Sequence, residues 1–276
     1  MSLFSNKFNK IKMKDQNKSS SCIYTMPCKP GSIFVNFGKD CLNDCRFCVK
    51  RFGSFFGYSL NVDYTPETLG NIEKELERIA NLYKNPKEIV ICGTGEPFLH
   101  YDDILKVSKT ARKLFDKGVP IRADTTGLWW QERKDLSFLE HIDSLSISLN
   151  AESEDKYNAM CQSKIPNAYG VLMDFLRTLS NEKNKREKFP DVRLTIVDTS
   201  AKEFMPPRKE TDNEIECPVP DIAKCKEIAG SFGFPLVVKH LFRDVNELCW
   251  NPKEIEERTL KDISLERCID CKYRHI

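Results

Sequence analysis

Net charge, long apolar runs and internal repeats are all missing from this sequence, and each absence removes a class of function. Across 276 residues, 43 Lys and Arg face 41 Asp and Glu, a formal net charge of +2. That balance argues against a polycationic nucleic-acid coat and against an acidic tail protein. No recognised nucleic-acid-binding motif is present, so nucleic acid is not indicated as a partner. No stretch of 18 or more apolar residues occurs, so no membrane-spanning helix and no membrane partner are expected. The first residues carry Lys7, Lys10, Lys12, Lys14 and Lys18 without a continuous apolar core, unlike a secretory signal. A soluble, cytoplasmic protein is therefore the expectation. Cysteine is what the chain does have: 12 of them, clustered at short spacings. In a reducing compartment such cysteines read as metal ligands or redox groups before bridges.

Short apolar, β-branched runs alternate with longer amphipathic segments from residue 32 onward. Strands are predicted at Ser32–Phe37, Glu88–Cys92, Pro120–Ala123, Ser144–Leu149, Arg193–Val197 and Leu236–His240. Helices are predicted at Pro66–Tyr83, Tyr101–Lys117, Ser153–Met160 with Ala168–Leu179, and Asp221–Phe232. Parallel neighbours need crossovers of this size, so six βα units with a parallel sheet are expected. Residues 1–31 read as a flexible tail ending in a Pro-Gly turn, residues 32–245 as the α/β domain, and residues 246–276 as an appended extension. Thr199–Pro220, with four prolines among charges, reads as a long loop.

Cys41-Leu-Asn-Asp-Cys45-Arg-Phe-Cys48 follows directly on the first predicted strand. Three soft thiolates on one loop suit an iron–sulfur cluster or zinc. With only three local ligands, a cubane cluster keeps one iron open; a zinc knuckle completed by Cys22 or Cys28 is the alternative. The second strand ends in Cys92-Gly-Thr-Gly-Glu-Pro97, the third in Asp124-Thr-Thr-Gly127 and the fourth in Ser146-Ile-Ser-Leu-Asn150. Ligands of βα proteins bind at the carboxyl ends of the strands, so these segments share one rim. Glycines 93 and 95 admit close backbone approach, and Glu96 offers a carboxylate to an ammonium group.

These residues resemble the radical SAM enzymes. Cys41–Cys48 matches the motif Cys-x3-Cys-x-aromatic-Cys with Phe47 as the aromatic residue, and Gly93–Pro97 is similar to Gly-Gly-Glu-Pro, with Thr94 standing where a glycine is usual. Asp124–Gly127, Ser146–Ala151 with Tyr157 and Cys161, and the run Phe189–Asp198 look most like the TatD-associated radical SAM proteins. The resemblance implies a partial (βα)6 TIM-like barrel in which Cys41, Cys45 and Cys48 bind three irons of a [4Fe-4S] cluster. S-adenosylmethionine would complete the fourth iron, with Phe47 near its adenine and the Gly95-Glu96-Pro97 segment at its ammonium. Ser148 and Asn150 are placed for its ribose or carboxylate, and Asp124 and Thr126 are further candidates. The implied activity is reductive cleavage to a 5′-deoxyadenosyl radical acting on an unknown substrate, as an oxidoreductase or transferase fed by an electron donor such as flavodoxin or ferredoxin. The rival reading is a non-catalytic, cysteine-rich zinc-binding interaction protein.

Cys249, Cys268, Cys271 and His275 form a second set, spaced Cys-x18-Cys-x2-Cys-x3-His, open to an auxiliary iron–sulfur cluster, to zinc or to no metal. Cys92, Cys161 and Cys225 lie in strand or helix patterns and read as buried small apolar residues. Trp129-Trp130 is open to a cavity mouth or to core packing, and His240 with Arg243 to an anion contact or to ordinary packing.

Overall fold

The computed structural model describes residues 22–26, 29–52, 54–55, 58–59, 63–82, 85–201 and 216–240. In chain order the strands are β1 (Ile23–Met26), β2 (Lys29–Asn36), β3 (Ser54–Phe55), β4 (Tyr58–Ser59), β5 (Glu88–Cys92), β6 (Ile121–Thr125), β7 (Ser144–Ser148), β8 (Asp191–Asp198) and β9 (Leu236–His240). The helices are α1 (Pro66–Leu82), α2 (Tyr101–Leu114), α3 (Glu154–Cys161), α4 (Ala168–Lys183) and α5 (Ile222–Ser231). Seven strands form one sheet in the order β1-β2-β5-β6-β7-β8-β9, and β3 with β4 makes a separate small hairpin. From β2 to β9 every neighbouring pair is parallel, while β1 runs antiparallel to β2. This is an α/β fold with the six expected parallel strands, arranged as a partial barrel.

Alternation along the strands separates two faces. Ile33, Val35, Ile89, Ile91, Ala123, Leu145, Ile147, Leu194 and Ile196 are buried in one core with the helices. From α1 come Ile72, Leu76, Ile79 and Ala80, spaced to lie along one helical stripe. Thr65 starts that helix, its hydroxyl accepting from Thr68 N–H at 3.2 Å, with Pro66 in the first turn where no donor is missed. The α2 helix stops at Leu114 rather than Lys117, because Phe115 turns extended (φ −102°, ψ 165°) and buries its ring. The α4 helix runs past Leu179 to Lys183, continuing through a polar turn in which Lys185 and Arg186 pair with Glu182.

The tail expectation is corrected at its end. Residues 23–26 and 29–31 are strand, not tail: Ile23 pairs with Val35, and Asn36 N–H donates to Cys22 C=O at 2.7 Å. The Pro30-Gly31 pair lies inside β2, Gly31 taking φ +92° while its carbonyl accepts from Lys87 N–H. Of the long loop expected at 199–220, residues 202–215 lie outside the described residues, as do residues 1–21 and the whole extension 246–276.

The opposite face of the sheet has another character. By register it carries Ser32, Phe34, Asn36, Glu88, Val90, Cys92, Arg122, Asp124, Ser146, Arg193, Thr195 and Lys239. Its only apolar cluster among the described residues is Phe34, Val90 and Cys92, with Tyr24 packed against it. Because the strands are parallel, their carboxyl ends open on one rim, where this polar face meets the loops.

Candidate functional site

The loop after β2 and the loop after β5 are laced together by their backbones. Gly95 N–H donates to Gly38 C=O at 2.9 Å and Glu96 N–H to Asp40 C=O at 2.6 Å. Asn36 holds both loops from below, its Oδ1 accepting from Gly38 N–H at 3.0 Å and from Thr94 N–H at 3.2 Å. Only glycine fits at the crossing: a Cβ on Gly95 would lie 2.0 Å from Asp40 O. Thr94, where the first of two adjacent glycines is usual, does not take a positive φ; its hydroxyl donates to Gly38 C=O at 3.3 Å.

Cys41, Cys45 and Cys48 stand on the first of these loops, partly buried and outside any disulfide. Burial, the Glu96 carboxylate and Cys45 push the Cys41 thiol up to about 12. The Cys45 thiol is raised by its hydrogen bond with Cys161 and by burial, and Cys48 by burial and by Cys45. The three thiols therefore share one electrostatic field in which none ionises readily alone. Soft cations bound there would remove that penalty, which is the donor chemistry an iron–sulfur cluster asks for. Among the described residues no three His, Cys, Asp or Glu side chains converge on a single ion. A cubane takes each cysteine on a separate iron, whereas one zinc would draw all its ligands to about 2.3 Å.

The cysteine loop is docked on the end of α3. Asp44 N–H donates to Cys161 C=O at 3.0 Å, Arg46 N–H to Met160 C=O at 2.9 Å, and Asn43 Nδ2 to Tyr157 Oη at 3.1 Å. Lys164 Nζ donates to Cys41 C=O at 2.8 Å, and Lys50 Nζ to Lys39 C=O at 2.8 Å. Cys161 is fully buried, as expected of a small apolar residue, yet it also touches Cys45 and accepts from Asn150 Nδ2 at 3.6 Å. Asn150 adopts φ +61° and is buried behind the cysteine loop. Phe47 places its ring in the main core, and Ser148 ends β7 beside Thr195.

Glu96 is buried at 1% exposure and its carboxylate is shared with the next strand. Oε1 accepts from Phe98 N–H at 3.0 Å, capping the short turn that Pro97 opens, and from Thr125 Oγ1 at 2.8 Å. Oε2 accepts from both the amide and the hydroxyl of Thr126. Burial raises its pKa, and the Thr126, Phe98 and Thr125 hydrogen bonds oppose that rise. Thr125 is held in turn by Trp129, whose indole N–H donates to Oγ1 at 3.1 Å. Trp129 and Trp130 are thus buried packing, stacked among Phe98, Phe138 and Phe175, and do not form a cavity mouth. That support for Glu96 escapes sequence reading, since it joins residues 29 to 33 positions apart with no motif spacing.

Asp124 faces Arg122 on the inner side of the sheet, Oδ1 to Nε 3.5 Å, two residues before Thr126, which meets Glu96 at the rim. The second set, Cys249, Cys268, Cys271 and His275, lies outside the described residues, as do Cys28, Arg243 and the His240 side chain.

A family model described as the Radical SAM superfamily matches residues 35–186, more than half of the chain. No curated protein matches it. Among solved structures, coproporphyrinogen III oxidase from Escherichia coli, described as a radical SAM enzyme, is 15% identical over 83% of this chain and 46% of that one, with a TM-score of 0.47. Native anSMEcpe with bound AdoMet and Kp18Cys peptide is 14% identical over 76% of this chain and 51% of that one, with a TM-score of 0.50. The chain thus spans about half the length of these structures, and the likeness to the second, at its identity, is one of fold.

Proposed function

The chain belongs to the radical SAM superfamily, and from that membership we propose that it binds a [4Fe-4S] cluster through Cys41, Cys45 and Cys48 and cleaves S-adenosylmethionine reductively. The observation that carries the reading is the lacing of the cysteine loop to the Gly93–Pro97 loop through Gly95 and Glu96. When bound, the cluster and S-adenosylmethionine supply an electron and a sulfonium bond whose cleavage yields a 5′-deoxyadenosyl radical. The protein's own part is positional. The Gly38–Asp40 and Gly93–Glu96 backbones fix the distance between thiol ligands and rim, while the buried Glu96 sets a negative charge beside Cys41 where an ammonium group is favoured. Thr126, ordered by that carboxylate, Ser148 at the end of β7 and Asn150 two residues beyond it are assigned to the ribose or methionyl carboxylate, and Phe47 to the adenine side. An electron donor such as flavodoxin or ferredoxin, and an auxiliary cluster or zinc at Cys249, Cys268, Cys271 and His275, belong to the same proposal, as does the closer likeness to TatD-associated members.

Anaerobic reconstitution with iron and sulfide tests it. About four irons at the N-terminal site, broad absorption near roughly 400 nm, and 5′-deoxyadenosine released on reduction are expected. Cys45→Ala should abolish that release while Cys268→Ala spares it. A colourless protein holding one zinc and taking up no iron overturns the proposal.

A further inference from the structure

We propose that the inner face of the sheet binds a small anionic substrate, whose carboxylate or phosphate is taken by Arg122, Arg193 and Lys239. The inference rests on the radical reading above for what happens to that ligand, and on the fold alone for its charge.

Strand register places all three cations on the face turned away from the helices. Arg122 lies in line with Val90 and Ser144, Arg193 with Ser146, and Lys239 with Val197. Their alternates Ala123, Leu194 and Val238 pack into the helix-facing core. On the same register lie Asp191, exposed at the start of β8, and two carboxylates nearer the cations, Glu88 and Asp124. Glu88 and Asp124 approach the same partner, Arg122, at 3.8 and 3.5 Å to Nε, and among the described residues no ion pair reaches Arg193 or Lys239.

Even the Arg122 contacts are incomplete. Its side chain is only 10% exposed, yet Nε has no hydrogen-bond partner among the described residues, and neither has the buried Asp124 Oδ1. Buried polar atoms are nearly always satisfied, and a buried donor whose hydrogen bond is unmade carries its desolvation cost uncompensated. A ligand that supplies the missing acceptor accounts for the Arg122 Nε. Electrostatics agree: burial and Arg122 pull the Arg193 pKa down, and burial with Arg122 and Arg193 does the same to Lys239, against the pull of Asp124. Guanidinium groups bind carboxylate and phosphate in paired hydrogen bonds, and an ammonium adds a point charge. Arg122 stands three residues before the end of β6 and Arg193 five before the end of β8, beneath the rim that carries Glu96 and the cysteine loop. An anion held there leaves the remainder of a small molecule directed toward the rim.

The test is calorimetric titration of the full chain with inorganic phosphate and, separately, with malonate. Saturable binding of one probe is expected, phosphate or malonate preference reporting which acid the site is built for. Arg122→Gln and Lys239→Gln should each weaken it by about tenfold or more, Arg193→Lys should retain most of it, and Lys117→Gln, an exposed lysine outside this face, should not change it. Should Arg122→Gln fail to fold by circular dichroism, the less buried Lys239→Gln carries the test. Absence of saturable binding, unchanged affinity in both glutamine variants, or displacement of the probe by S-adenosylmethionine overturns the proposal, the last by making the belt a cofactor subsite. The titration uses neither reductant nor cluster turnover. Wild-type release of 5′-deoxyadenosine, measured separately, therefore shows which of the two readings has failed.

Discussion

Gly95→Ala puts the crossing of the two rim loops to a direct test. An added Cβ would stand 2.0 Å from Asp40 O, 2.5 Å from Lys39 C and 2.6 Å from Asp40 C, all backbone atoms that no rotamer change can move. Reaching even 3.0 Å requires the loops to part by about 1 Å. That parting breaks the Gly95-to-Gly38 and Glu96-to-Asp40 hydrogen bonds, each worth about 1 kcal/mol, so a loss of about 2 kcal/mol is expected. For a domain of this size that is about 4–8 °C in melting temperature. The catalytic consequence is larger, since a 1 Å misplacement of a binding element costs about 10²-fold in rate. Thermal unfolding by circular dichroism and 5′-deoxyadenosine release would be measured beside Gly118→Ala, whose Cβ meets nothing within 4 Å. A Gly95→Ala protein that melts with wild type and releases 5′-deoxyadenosine at the wild-type rate would refute the reasoning.

The remaining predictions probe other layers. Gly70→Ala, inside α1 with open space around the new methyl, should stabilise the protein by about 0.5–1 kcal/mol, read as a higher urea midpoint; an unchanged or lower midpoint speaks against it. Glu96→Gln sets an amide donor against the fixed N–H of Phe98 or of Thr126 in either orientation, so a loss of about 1–3 kcal/mol is expected by denaturant titration, and an unaltered midpoint contradicts the network. At Asp143 burial works to raise the pKa, but Arg112, the Ile121 N–H and Lys188 outweigh it and hold the carboxyl below its ordinary range. A depressed folded-state pKa stabilises above the unfolded value near 3.9 and is lost as pH falls through the folded one. Asp143→Asn should therefore flatten the fall of melting temperature below about pH 4, and an identical acid profile in the variant excludes this account.

What could be read from the sequence depended on whether the signal was local. Glu88–Cys92 and Leu236–His240 match their predicted bounds, being short apolar or β-branched runs bounded by turn residues or charges. The edge strand Ile23–Met26 was missed because four residues, followed at once by Pro27, carry too little alternation to register, and its partner β2 supplies the pairing. The cysteine and Gly-x-Gly-Glu-Pro segments were legible as contiguous motifs, and the parallel strands place them on one rim. Trp129, Thr125 and Cys161 were not, since their roles arise where chain segments far apart in sequence meet.

Arg122 shows the remaining limit most plainly. In Pro120–Ala123 it is one charged residue in a strand predicted from its apolar neighbours, and on a one-sided sheet it would simply face water. The register instead pairs it with Val90 and Ser144 on a face that also carries Arg193 and Lys239, and burial leaves its Nε without a hydrogen-bond partner among the described residues. The helix-facing side of the same strands is dry and accounts for cohesion through Ile89, Ile91, Leu145 and Leu194. Buried charge contributes nothing comparable and often costs stability relative to apolar packing. A sheet built this way separates stability from recognition by side-chain parity alone, so the residues that select a ligand are those whose alternates hold the fold together.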